Sequence, residues 1–434
     1  AFNDNVFKNA LIIMIAFQGA KFSSVDSNTL TNLSAGLFIL PFFILSATAG
    51  QLIDKTDKSL SMQRIKMLEI FIMLCAAWAF SAGELYLLIA LLFLMGAQSS
   101  LFGPAKYSYI PQHLDDNELI AGNALVQMGT FVAILVGTMM GGLLIAREDG
   151  RGLVSIVLVV LAVLGYVSSR VIPRTPSPCP DLKINWNIFT ETWRNLAFIH
   201  SNRTVFLSVL GISWFWFLGA TYLVQLPNYT RLTLGGNEQV VTLLLTLFTL
   251  GIGSGSLLCN WLSGQKVEIG LVPFGSIGLT LFGIDLFLAK SVLDSSELVG
   301  LAAFLQQDGS FRVIADVVLI GVFGGFYIVP LFALVQQRSN PEHLSRVIAG
   351  NNILNALLMV LSAIMAIVLL GAGVSIAHLF LVVAVLNAAV AVYIYTLVPV
   401  FLMRFLVWIL IHSVYHVRKK GLENIPDEGP AVLV

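Results

Sequence analysis

Apolar stretches of about 20 residues recur along the whole chain, and a run of that length has few structural solutions. In hydrocarbon every backbone N–H and C=O must find its partner within the protein, so such runs fold as helices or as a closed barrel. Alternation of period two is absent from them, which removes the barrel. Composition agrees: of 434 residues, 57% are hydrophobic and 11% charged, too few charges to cover a soluble fold of this length. The expected fold is an all-α membrane protein.

Twelve spans are predicted, at about 2–21, 33–53, 65–83, 85–104, 119–146, 153–172, 204–227, 239–263, 269–289, 313–334, 346–371 and 375–398. With both ends of this unit on one side, that side receives 17 Lys and Arg and the other receives 6, with Lys8 left inside the first helix. The excess places both ends in the cytoplasm. A formal net charge of zero argues against a nucleic-acid partner. Cys75, Cys179 and Cys259 are scattered and outline neither a disulfide framework nor a metal site, and no cofactor is called for. The first span begins at once, with no Met and no signal peptide ahead of it, so the chain reads as trimmed at its start.

Residues 173–203 divide the chain into an N-terminal half, 1–172, and a C-terminal half, 204–398. This linker opens with "PRTPSPCPD", which cannot be helical. It continues with Trp186, Phe189, Trp193 and Leu196 on one helical face, as expected of an amphipathic helix on the inner leaflet or one tucked under the bundle.

The halves repeat each other. "PQHLDDNELIAGN" (111–123) and "PEHLSRVIAGN" (341–351) share Pro-x-His-Leu and Ile-Ala-Gly-Asn, and each follows a Gly-rich helix that ends near a proline. An even number of spans separates the copies, so they have the same orientation: two six-helix parallel repeats, the arrangement of the major facilitator superfamily. The loop "GQLIDKTDKSLSMQR" (50–64) resembles that superfamily's Gly-x-Leu-x-Asp-Arg/Lys element through Gly50, Leu52, Asp54, Lys55 and Lys58, with Asp57 where the family has Gly. The resemblance implies a gate latch built from Gly50, Asp54, Lys55, Lys58 and Arg64. The counterpart loop, 255–266, is degenerate.

Charges inside a membrane are costly, and each is a functional candidate. Asp4 and Lys8 are spaced i,i+4 and share a helix face, as a cavity charge pair or as a structural ion pair. Asn5 lies beside them. Helix five carries Asn123 and Gln127; its repeat partner carries Asn351 and Asn355, read as cavity donors and acceptors or as helix-to-helix hydrogen bonds. Asp285 has no evident partner in sequence. A mostly apolar core with a few amides, one acid and one lysine suits an amphipathic substrate with a zwitterionic head.

Three stretches then look familiar together: "FNDNVFKNAL" (2–11), "FGPAKYSYIPQHL" (102–114) with "AGNALVQMGTFVAILVGTMMGG" (121–142), and "GVFGGFYIVPLFALVQQRS" (321–339). They resemble the bacterial lysophospholipid transporter family. The resemblance implies flipping of lysophospholipids, chiefly lysophosphatidylethanolamine, from the outer to the inner leaflet of the inner membrane, with surrounding membrane lipids as partners. It aligns Asp4, Asn123 and Gln127 with polar cavity positions, and Lys106 with the basic residue of the Pro-Ala-Lys-Tyr element, a gating position. The family's helix-seven arginine is missing from "GATYLVQLP" (219–227), and Lys8 either replaces that cation or marks a different head-group selectivity. Residues 399–434 begin as a membrane-surface helix with Arg404, His412 and His416. They end in "GLENIPDEGPAVLV", which resembles the entry to a glycerophospholipid acyltransferase domain. The chain is expected to lack catalysis of its own and to feed an acyltransferase domain in the parent protein. An ion-coupled exporter of drugs or small solutes, and a bare anchor for the enzyme, are the rival readings.

Overall fold

The computed structural model describes residues 1–22, 27–263, 270–289 and 298–397, with Met403, Leu406, Val407 and Leu410 beyond them. The tail readings at Arg404, His412, His416 and 421–434, and the end of the degenerate loop, lie outside the described residues.

The N-terminal half consists of α1 (Phe2–Phe22), α2 (Ser27–Ile44), α3 (Ser46–Lys55), α4 (Lys58–Ala82), α5 (Leu85–Tyr109), α6 (Leu119–Ile145) and α7 (Gly150–Ser169). The linker forms α8 (Ile188–Ser201). The C-terminal half consists of α9 (Arg203–Leu232), α10 (Glu238–Leu262), α11 (Leu271–Leu288), a short α12 (Leu301–Leu305), α13 (Ser310–Arg338), α14 (Leu344–Gly371) and α15 (Ile376–Leu397). Ten of these helices are long and apolar enough to cross a membrane; the bent pair α2–α3 makes an eleventh. The predicted count of twelve is reached only with α1, whose 21 residues include Asp4 and Lys8.

Local chemistry explains several boundaries. Asp57 caps α4 by accepting from the Leu60 N–H at 3.0 Å, and Gly83, at φ 75°, ends it. The predicted start of this span, 65, is therefore two turns late, and Lys66 and Glu69 lie inside a helix. The predicted span 33–53 is two helices meeting at 48°, next to Pro41. Pro41 has no N–H to donate and its ring crowds the preceding turn, which bends the helix. The repeat is visible in the backbone: 3₁₀ turns at Ile110–Gln112 and Pro341–His343 precede α6 and α14.

Packing fixes where the charged helix α1 lies. It crosses α6 so closely that a Cβ at Gly137 would stand 2.5 Å from Phe2 O, and one at Gly141 2.5 Å from Val6 O. One apolar core fills the N-terminal half around Phe7, Leu11, Phe80 and Leu92. A second fills the C-terminal half and continues across the seam to Ile120, Ala124 and Phe131 of α6.

Helix α8 settles between its two predicted placements. Glu191, Asn195 and Ile199 are buried against the bundle, with Ile199 beside Gly350, while Trp186, Phe189 and Trp193 are exposed on the outer face.

Candidate functional site

Helix α6 presents Asn123, Gln127 and Phe131 at i, i+4 and i+8, a single stripe whose members are 0%, 0% and 1% exposed. Each meets the seam at a different depth. Nearest the linker face, Asn123 Nδ2 donates to Gln336 Oε1 of α13 at 2.6 Å, and Gln336 Nε2 donates to Tyr107 O at 2.9 Å. One turn deeper, Gln127 Nε2 donates to the Tyr107 hydroxyl at 3.1 Å, and the Tyr107 ring stacks on Phe332 of α13 at 4.4 Å. A turn further, Phe131 stacks on Trp216 of α9 at 5.9 Å. The stripe therefore plugs the path between the halves, and Asn123 and Gln127 face protein across the seam.

Below this plug lies the loop predicted to be a latch. Asp54, at the end of α3, accepts from Arg346 Nε at 2.9 Å and from the Ser345 N–H at 3.1 Å, both at the start of α14. Arg346 and Asp54 are 2% and 0% exposed. The guanidinium also reaches Glu342 O at 3.0 Å and sits 5.0 Å over the Phe198 ring of α8, which stacks on His343. Gly50 permits this contact: a Cβ there would meet Arg346 Cα at 2.8 Å. The linker runs over the pair, with the Ser177 hydroxyl and the Cys179 N–H both donating to Asp54 O. Lys58 donates to Gln112 at 2.7 Å, and among the described residues no contact joins Lys55 or Arg64 to the latch.

Every hydrogen bond, ion pair and ring stack described between the two halves lies on the linker side of the bundle or at mid-depth. Among the described residues the seam is thus closed on the linker face.

The charged groups of α1 occupy mid-depth of the N-terminal half. Asp4 Oδ2 accepts from the Ser99 hydroxyl of α5 at 2.8 Å. No Asp4–Lys8 ion pair is described; the Lys8 ammonium lies 5.6 Å over the Phe38 ring of α2, so the expected pair is split between two helices. Asn5 bonds its own turn, donating to Ala1 O at 2.8 Å. Lys106 reaches Thr130 Oγ1 at 3.4 Å and lies over the Tyr107 ring. In the second half, Asn355 accepts from the Ser213 hydroxyl at 2.8 Å, while both polar side-chain atoms of Asn351 are buried without a described partner.

Sequence reading missed a second polar group beside Asp4. Glu69 of α4 accepts from Lys66 Nζ at 2.7 Å, from Asn3 Nδ2 at 3.0 Å and from Gln98 Nε2 at 3.0 Å. The signal was present as Lys66 and Glu69 at i,i+3, but it fell at the edge of an apolar run and read as a flank. Asp285 also has a partner that the sequence hid: Arg312 of α13 forms a two-pronged ion pair with it. Among the described residues no group of three or more His, Cys, Asp or Glu is placed to hold a metal.

Comparison with known proteins follows this geometry. The sequence pattern described as Major Facilitator Superfamily matches residues 5–311. The lysophospholipid transporter LplT of Serratia proteamaculans (strain 568) is 26% identical over 321 residues, covering 73% of this chain and 72% of its own. LplT of Klebsiella pneumoniae subsp. pneumoniae is 25% identical over 315 residues, covering 70% of each. Among solved structures, a transporter of the superfamily, FucP, in the outward conformation, overlays with a TM-score of 0.67 at 14% identity, over 91% of this chain and 97% of its own. A bacterial homologue of the iron transporter ferroportin in its outward-facing state gives 0.62 at 16% identity, over 91% and 97%.

Proposed function

Since the chain belongs to the Major Facilitator Superfamily, we propose that it moves lysophospholipids such as lysophosphatidylethanolamine from the outer to the inner leaflet of a bacterial inner membrane by alternating access. The linker face is then cytoplasmic, in keeping with the Lys and Arg excess there, which survives after Lys66 and Lys106 are assigned to the bundle. A latch and plug closed on the linker face are what an outward-facing conformer of such a cycle would have. Under the same reading the segment 421–434 leads into an acyltransferase domain that restores the missing acyl chain.

The observation that carries the reading is the set of opposite charges at mid-depth, Asp4 with Lys106 near it and Glu69 with Lys66 beside them, set in an otherwise apolar half. A zwitterionic head with a single acyl chain is complementary to that lining, and the LplT relatives carry lysophospholipid in their name. Asp4 faces the ammonium, Lys106 faces the phosphate, and Asn351 offers buried donors and acceptors from the opposite half. Entry is sideways from the lipid phase, because a single-chain lipid already resides there.

The test is transbilayer movement of labelled lysophosphatidylethanolamine in proteoliposomes, read by extraction of the outer leaflet with albumin. Protein-dependent loss of extractable lipid is expected. Equal movement with and without protein overturns the flippase reading, and movement that collapses with a proton or sodium gradient favours the ion-coupled alternative. Re-acylation on addition of the full parent chain, and not of residues 1–398 alone, tests the supply of an acyltransferase.

A further inference from the structure

We propose that Lys66 is a second phosphate-binding cation of the head-group site, parked on Glu69 while the site is empty. The proposal rests on the lysophospholipid reading and adds a second cation to the head-group site. Lys8, the sequence candidate, lies over the Phe38 ring of α2, within electrostatic reach of Asp4 but with no described hydrogen bond to it.

The geometry is continuous from Asp4 to Lys66. Gln98, Phe102 and Lys106 stand at i, i+4 and i+8 on one face of α5, with Ser99 beside them. Ser99 holds Asp4, and the Gln98 Nε2 group holds Glu69. The Lys66 ammonium lies 5.0 Å over the Phe102 ring, one turn of α5 away from Lys106. Both lysines act electrostatically with Asp4 and Lys66 is held by Glu69, so two carboxylates and two ammonium groups share this corner of the bundle, with the Lys8 ammonium also within electrostatic reach of Asp4. Once Asp4 takes the head group's ammonium and Glu69 falls back on Asn3 and Gln98, the Lys66 and Lys106 ammonium groups are both free to turn to a phosphate.

Two features make Lys66 releasable. Glu69 is 2% exposed, yet it has three donors, and Asn3 and Gln98 remain when Lys66 leaves, so its carboxylate is not orphaned. Lys66 is 20% exposed and Glu69 is its one described hydrogen-bond acceptor, which leaves two N–H groups for phosphate oxygens. Gly165 of α7 gives the lysine stem room: a Cβ there would already lie 3.5 Å from it.

The test uses the purified chain in proteoliposomes, with labelled lysophosphatidylethanolamine as substrate. Competitors are glycerophosphoethanolamine (head without chain), monoacylglycerol (chain without phosphate) and inorganic phosphate. Lys66→Gln is expected to raise KM about tenfold, or about 1.4 kcal/mol, and to abolish competition by glycerophosphoethanolamine. Competition by monoacylglycerol stays unchanged, and Lys66→Arg retains most of the affinity. A merely structural Lys66 would serve only to neutralise Glu69, so Lys66→Gln with Glu69→Gln would then recover the wild-type KM. The proposal expects the double variant to remain impaired. Recovery in the double variant, an unchanged KM in Lys66→Gln, or a parallel loss of monoacylglycerol competition overturns the inference alone. Inorganic phosphate competing as well as glycerophosphoethanolamine assigns the site to the free anion and also overturns it. A wild-type protein that moves no lysolipid overturns the transport reading and this inference with it.

Discussion

Replacing Asp54 by Asn removes the charge that Arg346 faces while keeping the size of the side chain and its acceptor for the Ser345 N–H. Breaking a buried ion pair by removing one partner costs about 3–5 kcal/mol, because the remaining charge stays desolvated. Arg346 keeps Glu342 O and the Phe198 ring, so the lower end, about 3 kcal/mol, applies here. The pair exists only while α3 and α14 touch, so the whole loss falls on the state closed at the linker face. At 1.4 kcal/mol per decade the closed-to-open ratio drops roughly 100-fold, enough to turn a ratio near 99:1 into an even mixture. Spin labels at Asp116→Cys and Gln337→Cys report it, since these exposed residues bridge the halves by a 2.8 Å hydrogen bond. Cys75, Cys179 and Cys259 are replaced first. Pulsed electron resonance is expected to show one short distance with Asp54 intact and a second, longer population of comparable weight in Asp54→Asn. Superimposable distributions would refute the assignment of Asp54–Arg346 as the latch.

Other consequences are open to simpler measurements. Gly50→Val drives a side chain into Arg346 Cα, so labels at the same two positions should separate as in Asp54→Asn although no charge has changed. Asn123→Leu strands Gln336 in the seam and is expected to lower thermal stability by about 1–3 kcal/mol in a fluorescence melt. Asp4→Asn is expected to cut lysophospholipid movement at least tenfold with the protein still monodisperse. Lys8→Ala should cost far less, since its ammonium rests on Phe38 and not on Asp4; equal losses would restore the pair that the sequence suggested.

The helices and their twofold repetition were legible because hydrophobicity and turn chemistry are local. The Pro-x-His-Leu and Ile-Ala-Gly-Asn copies pointed to equivalent helices, and the structure adds a 3₁₀ turn ahead of each. What escaped was pairing over long separations. Asp54 could be singled out from its loop, but Arg346, 292 residues on, looked like one more basic residue at a helix end. Glu69 and Lys66 were hidden for a different reason: a hydropathy edge marks where apolar residues begin, whereas the helix begins at its cap, Asp57, two turns earlier. Lys8 shows the limit of periodicity itself. Spacing i,i+4 places two side chains on one face, and long flexible stems then choose different neighbours.

The latch is described once in a fold that is built twice. The described part of the equivalent loop, 255–263, holds no acidic residue to answer Asp54, and among the described residues no second clasp of this chemistry accompanies the first. Under the proposed transport cycle, opening toward the linker face and affinity for substrate from the far face are joined through this buried ion pair, with the Asn123–Gln336 and Asp116–Gln337 contacts beside it. Any change that weakens the clasp eases release on one side and, by the same free energy, loosens capture on the other. The asymmetry gives a symmetric scaffold an adjustable set point between Asp54 and Arg346.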